Sequence, residues 1–231
     1  MRASYRNPYL KHCHEICVFG GHLFVSSTGF DSILGLNLES GVFDWGLQLL
    51  SEGMSFGVRR FDPSKGDGPL LLNKLHINNV FCEAGGMFIS GLRTEALLRF
   101  DGKGVGVMST LPGGVHNAQP FQDGVLFNDT RADAVRFESP VTRKAYRVPR
   151  FAEHRLTHTD LDDSRIARQG FGRGLCAIDD HFVAAGSSPS TITLYDLRER
   201  RPEKMINLTM DVRNAIHGLA VWPYAWPAAP G

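Results

Sequence analysis

The sequence predicts an all-β protein, a five-bladed β-propeller in which the fifth blade is incomplete. Short runs of β-branched and aromatic residues alternate with glycine, proline and aspartate turns along the whole chain, as in proteins built of short antiparallel strands. One phrase also recurs in register at the start of an apolar strand, at His14–Val25, His116–Phe127 and Arg173–Ala184. Such self-similarity indicates a repeat fold, and sustained helical periodicity is nearly absent.

Each copy of the phrase begins a unit with the same order of strands. A first strand opens the unit, a turn such as Gly20-Gly21 follows, and three further strands complete it. The predicted second strands are Leu23–Ser26, Met87–Ser90, Val125–Asn128 and Phe182–Ala185. The predicted third strands are Ile33–Leu38, Leu97–Phe100, Ala134–Phe137 and Ile192–Leu197. The predicted fourth strands include Gly104–Met108, Ala145–Val148 and Met205–Leu208. Four antiparallel strands in about 40 to 60 residues are typical of a propeller blade.

We interpret residues 1–231 as one propeller domain whose blades begin near residues 14, 76, 116, 173 and 217. Two of the intervals between successive blade starts are longer than a minimal blade, and the extra residues fall in 56–74 and 150–172. We expect both segments to be long loops on the axial face, because loops of this length are usually functional or mobile. Two other segments, Trp45–Ser51 and Thr159–Arg168, have room for a helical turn or two.

The fifth unit poses a problem of completion, since only 14 residues follow His217. An unfinished blade leaves strand edges unpaired, and closed propellers usually complete it with strands from the other terminus. Three interpretations are open: the fifth blade is rudimentary, sequence upstream of residue 1 completes it, or a partner chain does. We favour the upstream sequence.

The charge balance gives no indication of a nucleic-acid partner. The chain carries 25 basic and 24 acidic side chains, a net charge of +1, whereas nucleic-acid binding usually needs a clustered basic surface. The sequence has no run of about 18 apolar residues that would predict a membrane span, and its first residues lack the apolar core of a signal peptide. Four cysteines without a CxxC pair predict reduced thiols and a cytoplasmic location.

Aligning the units without gaps places a polar residue at the same position in each first strand. These ring residues are His14, Asn78, His116, Arg173 and His217. His76 lies two residues before Asn78 and would share its face of a strand, while a two-residue bulge would bring His76 into the ring. Because equivalent positions of a closed repeat meet at one axis, we predict that these side chains surround a central channel.

Histidines that converge from several blades predict a transition-metal site, since neutral imidazole binds iron and zinc. The candidate ligands are His14, His76, His116 and His217. A cation at Arg173 beside a divalent metal is unfavourable unless an anion bridges them, so we predict a small anionic substrate clamped by Arg173. Asn78 and Asn117 would add hydrogen bonds to it. The alternative is that each histidine is an ordinary polar residue at the start of a strand, bonded to a neighbouring carbonyl.

A second set of polar residues follows the second strand of each unit. It includes Thr28, Asp31, Asp129 and Thr130. Such residues most simply cap turns through local side-chain to backbone hydrogen bonds. Asp129 and Arg131 are the members to examine for another role, because their two charges break the pattern.

Four phrases carry a resemblance that extends over nearly the whole chain. They are Leu75–Asn78, Val115–Asn117, Arg173–Leu175 and Asp211–Gly218. They resemble a group of poorly characterised bacterial β-propeller proteins that are loosely similar to NHL-type and strictosidine-synthase-like propellers. A more distant analogy is to carotenoid-cleaving dioxygenases, whose propellers hold iron with one histidine from each of four blades. This chain has Arg173 at one of its ring positions.

These observations favour a metal-dependent enzyme that acts on a small anionic substrate at a histidine-lined axis. Catalytic candidates are Arg173, Asn78 and Asn117, and the implied cofactor is iron or zinc. A non-catalytic propeller that recognises a sugar, peptide or protein partner is the alternative from a different class. A third interpretation is an accessory subunit whose fifth blade is completed by a partner chain.

Overall fold

The computed structural model describes residues 3–53, 55–159, 168–199 and 201–222. Consecutive strands form four antiparallel sheets. The first sheet contains β1 (Cys13–Phe19), β2 (His22–Ser27), β3 (Ser32–Asn37), β4 (Phe43–Glu52) and β5 (Ser55–Phe61). The second contains β6 (Ile77–Glu83), β7 (Gly86–Gly91), β8 (Ala96–Phe100) and β9 (Val105–Thr110). The third contains β10 (Val115–Phe121), β11 (Gly124–Asp129), β12 (Ala134–Glu138) and β13 (Arg143–Arg147). The fourth contains β14 (Gly172–Ala177), β15 (Phe182–Ser187), β16 (Thr191–Asp196) and β17 (Pro202–Asn207).

Helical structure in the described ranges is limited to two 3-10 turns, Thr28–Phe30 and Glu153–Arg155. None of the helices there is long and apolar enough to cross a membrane. The prediction of a helical turn at Trp45–Ser51 was wrong. These residues lie in β4, which pairs with β3 on one side and β5 on the other. Most of the second such segment, residues 160–167, lies outside the described residues.

The four-stranded units predicted from the repeat are confirmed, with one correction in the first unit. Part of the segment 56–74 was expected to be a long loop, yet residues 55–61 form β5 and give the first sheet a fifth strand. The backbone of Phe61 pairs with Gly46, and Glu52 pairs with Ser55. Strand β5 thus continues the hairpin from β4 and covers the outer edge of the sheet.

Successive sheets pack face to face, so the core consists of layers between them. The layer between the first and second sheets includes Ile33, Leu47, Ile77 and Ile89. The next layer joins the second and third sheets through Phe88, Leu97, Val115 and Phe127. The last joins the third and fourth sheets through Leu126, Val135, Val183 and Tyr195. Met87 and Phe88 lie in different layers because neighbouring strand residues point to opposite faces.

The first strands of the sheets lie next to one another, which brings the ring positions together. Strand β10 contacts both β6 and β14, and β6 contacts β1. The segment 216–218 lies against β14 and β1: a Cβ on Gly174 would be 3.1 Å from the Ile216 carbonyl, and a Cβ on Gly218 would be 3.4 Å from Oε1 of Glu15. This segment therefore occupies a position between the fourth and first sheets.

The fifth unit is not a sheet in the described residues. After β17, the described chain makes one isolated bridge, between Thr157 and Asp211. Strand β1 is correspondingly more exposed than the other first strands. Ile16 and Val18 are 59% and 64% exposed, whereas most of β10 is buried. Four sheets and an extended segment are thus observed, and the fifth blade stays a prediction.

Candidate functional site

Each first strand is irregular at its ring position. Pairing between the first and second strands shifts register between Cys13 and Ile16 in β1, Ile77 and Asn79 in β6, His116 and Gln119 in β10, and Gly172 and Leu175 in β14. An extra residue in one strand of a pair redirects its side chains and is frequent beside functional sites. The recurring phrase in the sequence therefore corresponds to a recurring bulge.

These bulges bring the predicted site residues together around one narrow pocket, whose side chains leave no room for a water molecule between them. The pocket is lined by His14, Asn78, His116, Asn117, Arg173 and His217. His76 lies beside it, with its ring centroid 5.5 Å from that of His14 in an edge-on contact. Exposure increases from His116, which is 4% exposed, through the half-buried His14 and Arg173, to the exposed His217. His217 therefore lies at the mouth and His116 at the bottom.

The hydrogen bonds of His14 assign its tautomer. Its Nδ1 lies 2.7 Å from the carbonyl oxygen of His12 and 2.8 Å from Oγ1 of Thr28. The carbonyl can only accept, and the Thr28 hydroxyl donates to the carbonyl of Ile77. Nδ1 therefore carries the proton, and the Nε2 lone pair of His14 is available to a ligand.

His116 and His76 have the same tautomer. Nδ1 of His116 lies 3.0 Å from Oγ1 of Thr130, whose hydroxyl donates to the carbonyl of Gly172. Nδ1 of His76 lies 3.0 Å from the amide oxygen of Asn73, which can only accept. Nε2 of His116 is buried and has no hydrogen-bond partner among the described residues. Three imidazoles thus keep Nε2 as an acceptor.

Burial and neighbouring cations keep these imidazoles neutral. Desolvation lowers the pKa of His14 and His217, with a further contribution from Arg173. Burial, His14 and Arg93 lower the pKa of His76 to about 4. Burial and Arg173 hold the pKa of His116 well below its ordinary value. At neutral pH these rings therefore present lone pairs and no charge.

We expect the stability difference between the wild type and His76→Asn to depend on pH. Unfolded histidine titrates near 6.5, and folded His76 at about 4, so the unfolded state binds more protons between these values. The contribution of neutral His76 is therefore complete above about pH 6.5, falls as the pH is lowered, and levels off below about pH 4. Asparagine suits the positive φ of 55° at this position.

Urea denaturation of both proteins at intervals from pH 7 to pH 4 measures this difference. Burial raises the pKa of Glu15 to about 7, so Glu15 makes an opposite contribution to the pH dependence of stability. Glu15 is present in both proteins, and its contribution therefore cancels in the difference between them. Gln122→Asn, at the positive φ of 50° in the exposed turn between β10 and β11, replaces no titratable group and is the matched control, which should give a flat difference. A flat difference for His76→Asn as well would show that burial of its ring does not disfavour the charged form.

Arg173 extends across the mouth of the pocket. Its Nη1 lies 3.3 Å from Nδ1 and 3.2 Å from Nε2 of His217, and its guanidinium carbon lies 4.6 Å from the ring centroid of Phe171. Its Nε is buried without a hydrogen-bond partner in the described part of the chain. Burial lowers the pKa of Arg173, but arginine stays charged at neutral pH.

The two asparagines of the pocket have different roles. Both polar atoms of Asn117 have a partner: its Nδ2 donates to Oε2 of Glu15, and its Oδ1 accepts from the backbone of Gly174 at 2.8 Å. It therefore links β10 to β1 and to β14. Asn78 donates Nδ2 to the Val115 carbonyl at 3.1 Å, while its Oδ1 is buried and has no partner in the described ranges. Only Asn78 has a polar atom left for a ligand.

Sequence reasoning missed Glu15 and the roles of Thr28 and Thr130. Glu15 follows the ring residue His14, and its burial raises its pKa to about 7. Its signal in the sequence was its position, because Asn117 and Gly174 follow the ring residues of their own units. Thr28 and Thr130 were interpreted as turn residues, yet each orients a histidine of its own sheet. Both follow a second strand, and that shared position was the available signal.

The two charges singled out after the second strand have structural partners. The Asp129 carboxylate pairs with Nε of Arg136 at 2.9 Å and accepts from the backbone of Ala132. Arg131 packs against Gly114, where a Cβ would come within 2.8 Å of its Nε. Asp129 thus has the capping role predicted for this set, with an ion pair in addition.

The imidazole nitrogens at the axis are suitable ligands for a transition metal, but in this structure they are not arranged as a metal site. Among the described residues, no group of three or more histidine, cysteine, aspartate or glutamate side chains is placed to hold a metal ion. Binding an ion with His14, His76 and His116 would therefore require these rings to move together. The proposed metal ligation stays a prediction.

The fold is similar to that of U3-55K and of two WD40 proteins of known structure. U3-55K and the RRP9 WD40 repeats each match 87% of this chain with 10% identity and a TM-score of 0.52. The WD40 β-propeller domain of Doa1 matches 87% with 10% identity and a TM-score of 0.51. This chain spans 66%, 65% and 71% of those three chains. At such identity the likeness shows the fold alone, and that fold is a β-propeller.

No protein-family model matches the sequence, and none of the curated proteins matches it. The similarity is thus confined to structure. The resemblance to NHL-type, strictosidine-synthase-like and carotenoid-cleaving propellers stays a prediction.

Proposed function

We propose that the protein is a binding propeller that holds a small anionic molecule in its axial pocket, with Arg173 as the clamp. The observation that supports this most directly is the buried Nε of Arg173, which lacks a hydrogen-bond partner among the described residues. Leaving a buried donor unpaired is costly, and a carboxylate or phosphate oxygen would satisfy it. Arg173 is also the only formal charge among the six residues that line the pocket.

The unpaired acceptors define the ligand further. Nε2 of His116 and Oδ1 of Asn78 are buried without partners in the described ranges, and both need a donor. A small anion that also carries an O–H or N–H group would satisfy Arg173 and these acceptors together. Dihydrogen phosphate and 2-hydroxy acids have this chemistry. The lining side chains leave no room for a water molecule between them, so binding requires the exposed contact between Arg173 and His217 at the mouth to open, and a small ligand needs the least opening.

A metal-dependent enzyme is the second candidate, favoured by the shared tautomer of three histidines. Metal-ligating histidines almost always donate their other ring N–H to a protein acceptor, as His14, His76 and His116 do through Nδ1. His217 would be a fourth ligand near the mouth. Zinc or iron bound there would supply a Lewis acid to a substrate held by Arg173. This candidate ranks second because the rings are not placed to hold an ion.

Elemental analysis and calorimetry on the same untagged preparation test these proposals. We expect a metal-free protein that binds inorganic phosphate or glycolate with one site per chain. Near-stoichiometric zinc or iron that His116→Ala loses and the control His22→Ala retains would favour the enzyme instead. Protein that holds no metal and gives no binding heat with either anion would contradict both functions.

We further propose that the segment around His217 is the first strand of a fifth blade. Its contacts with β14 and β1 support this, because the innermost strand of such a blade would lie between them. A partner chain that supplies the remaining strands of this blade is part of the same proposal. A cytoplasmic location is likewise proposed, from the reduced cysteines.

A further inference from the structure

Two cysteines meet at the junction of the first two sheets. Cys17 lies on β1 and Cys82 on the neighbouring strand β6. The Cys17 sulfur accepts a hydrogen bond from the backbone nitrogen of Cys82 at 3.3 Å. Both are half-buried free cysteines. No local pattern indicates this pair, because the two residues are 65 positions apart.

We propose that Cys17 and Cys82 are a redox-sensitive pair that forms a reversible disulfide between the first and second sheets by exchange with a small-molecule disulfide. Because the Cys17 sulfur already lies 3.3 Å from the Cys82 backbone nitrogen, a change of side-chain rotamer brings the two sulfurs to bonding distance where the Cα atoms lie in the range usual for disulfides. The adjacent strands β1 and β6 supply this proximity. The inference is independent of what the axial pocket binds.

The exchange balances in two steps. The Cys17 thiolate attacks one sulfur of the small disulfide, forming a mixed disulfide and releasing one small thiolate. Cys82 then loses its proton and attacks the Cys17 sulfur, which releases the second small thiol. The protein pair is oxidised by two electrons, and the small disulfide is reduced to two thiols. No metal or further oxidant is needed.

Local chemistry makes Cys17 the attacking thiol. Interaction with Cys82 lowers the pKa of Cys17, which favours its thiolate at neutral pH. Burial raises the pKa of Cys13 and of Cys176, which keeps those thiols protonated. Cys17 packs against the apolar layer between the first two sheets but is only half-buried, so a small disulfide has partial access to it.

The disulfide would also affect the axial site. His14 is three residues from Cys17 on β1, and His76 immediately precedes β6, which carries Cys82. Their rings already touch, with centroids 5.5 Å apart. Oxidation would therefore fix the separation of the two strands that position these imidazoles.

Variants with two cysteines test the proposal directly. Cys13→Ser/Cys176→Ser retains only Cys17 and Cys82, and Cys17→Ser/Cys176→Ser retains Cys13 and Cys82. Both are equilibrated at pH 7.5 in buffers of reduced and oxidised glutathione, quenched with acid, denatured and labelled with a maleimide for mass spectrometry. We expect the first variant to fall from two labels to none, two hydrogens lighter and without bound glutathione. The matched variant should form no internal disulfide.

Two outcomes would overturn the proposal: stable glutathione adducts in place of the internal bond, or the same loss of labels in the matched variant. Circular dichroism in reductant establishes that both variants fold. The wild type gives a second readout that needs no variant, since its oxidised form should yield a linked peptide containing Cys17 and Cys82. Its melting temperature should also rise by a few degrees on oxidation, because the bond closes a long loop.

Discussion

Replacing Arg173 with glutamine should weaken the binding of inorganic phosphate and glycolate by about 10- to 100-fold. A hydrogen bond to a charged group contributes about 1.5–3 kcal/mol, and each 1.4 kcal/mol corresponds to a factor of ten in affinity. Glutamine keeps a polar side chain but removes the charge and the buried Nε donor. Calorimetric titration of both proteins with each anion at pH 7 measures the change.

Arg198→Gln is the matched control for this substitution. Arg198 lies in the turn between β16 and β17 of the same unit and, like Arg173, places its guanidinium over a phenylalanine ring, 5.5 Å from the centroid of Phe182. It pairs with Asp196 and does not line the axial pocket. Affinity should therefore be unchanged in Arg198→Gln. Equal affinities for Arg173→Gln and wild type would show that Arg173 is not the clamp.

The strands could be predicted from sequence because their signals are local. Alternating side chains, turn residues and the repeated phrase define each unit within about 40 to 60 residues. Errors occurred where pairing decides the outcome. The periodicity of Trp45–Ser51 does not distinguish a helix from a strand, but pairing with β3 and β5 on either side makes it a strand. Strand β5 is stabilised by the same pairing with β4.

The positions of the site residues were predictable, but their hydrogen-bond partners were not. The ring residues follow from the repeat, since identical bulges direct them to one axis. The link from Asn117 to Glu15 joins residues 102 positions apart, and nothing in either phrase identifies it. The cysteine pair shows the same limit: Cys17 lies three residues after its ring residue and Cys82 four, so the repeat did not align them.

Asp31→Ala should lower the free energy of unfolding by about 3 kcal/mol or more. The Asp31 carboxylate is 3% exposed and accepts from the backbone nitrogens of Lys74, Leu75 and Ile77. Alanine would leave these donors without their acceptor, and each unsatisfied buried group costs about 1–3 kcal/mol. Alanine is also disfavoured at the positive φ of 46° found here. Such a loss is a large fraction of the 5–15 kcal/mol by which domains are usually stable.

Urea denaturation followed by tryptophan fluorescence measures the loss, and two further variants separate its causes. Asp31→Asn tolerates the backbone conformation and keeps one acceptor oxygen, so it should lie between alanine and wild type. Asp101→Ala removes a carboxylate that accepts two backbone hydrogen bonds in an exposed turn, from Lys103 and Gly104, and water can replace it there. We expect little change in that control. If Asp31→Ala unfolded at the same urea concentration as Asp101→Ala, Asp31 would not be what holds the segment before β6, and with it His76, against the first sheet.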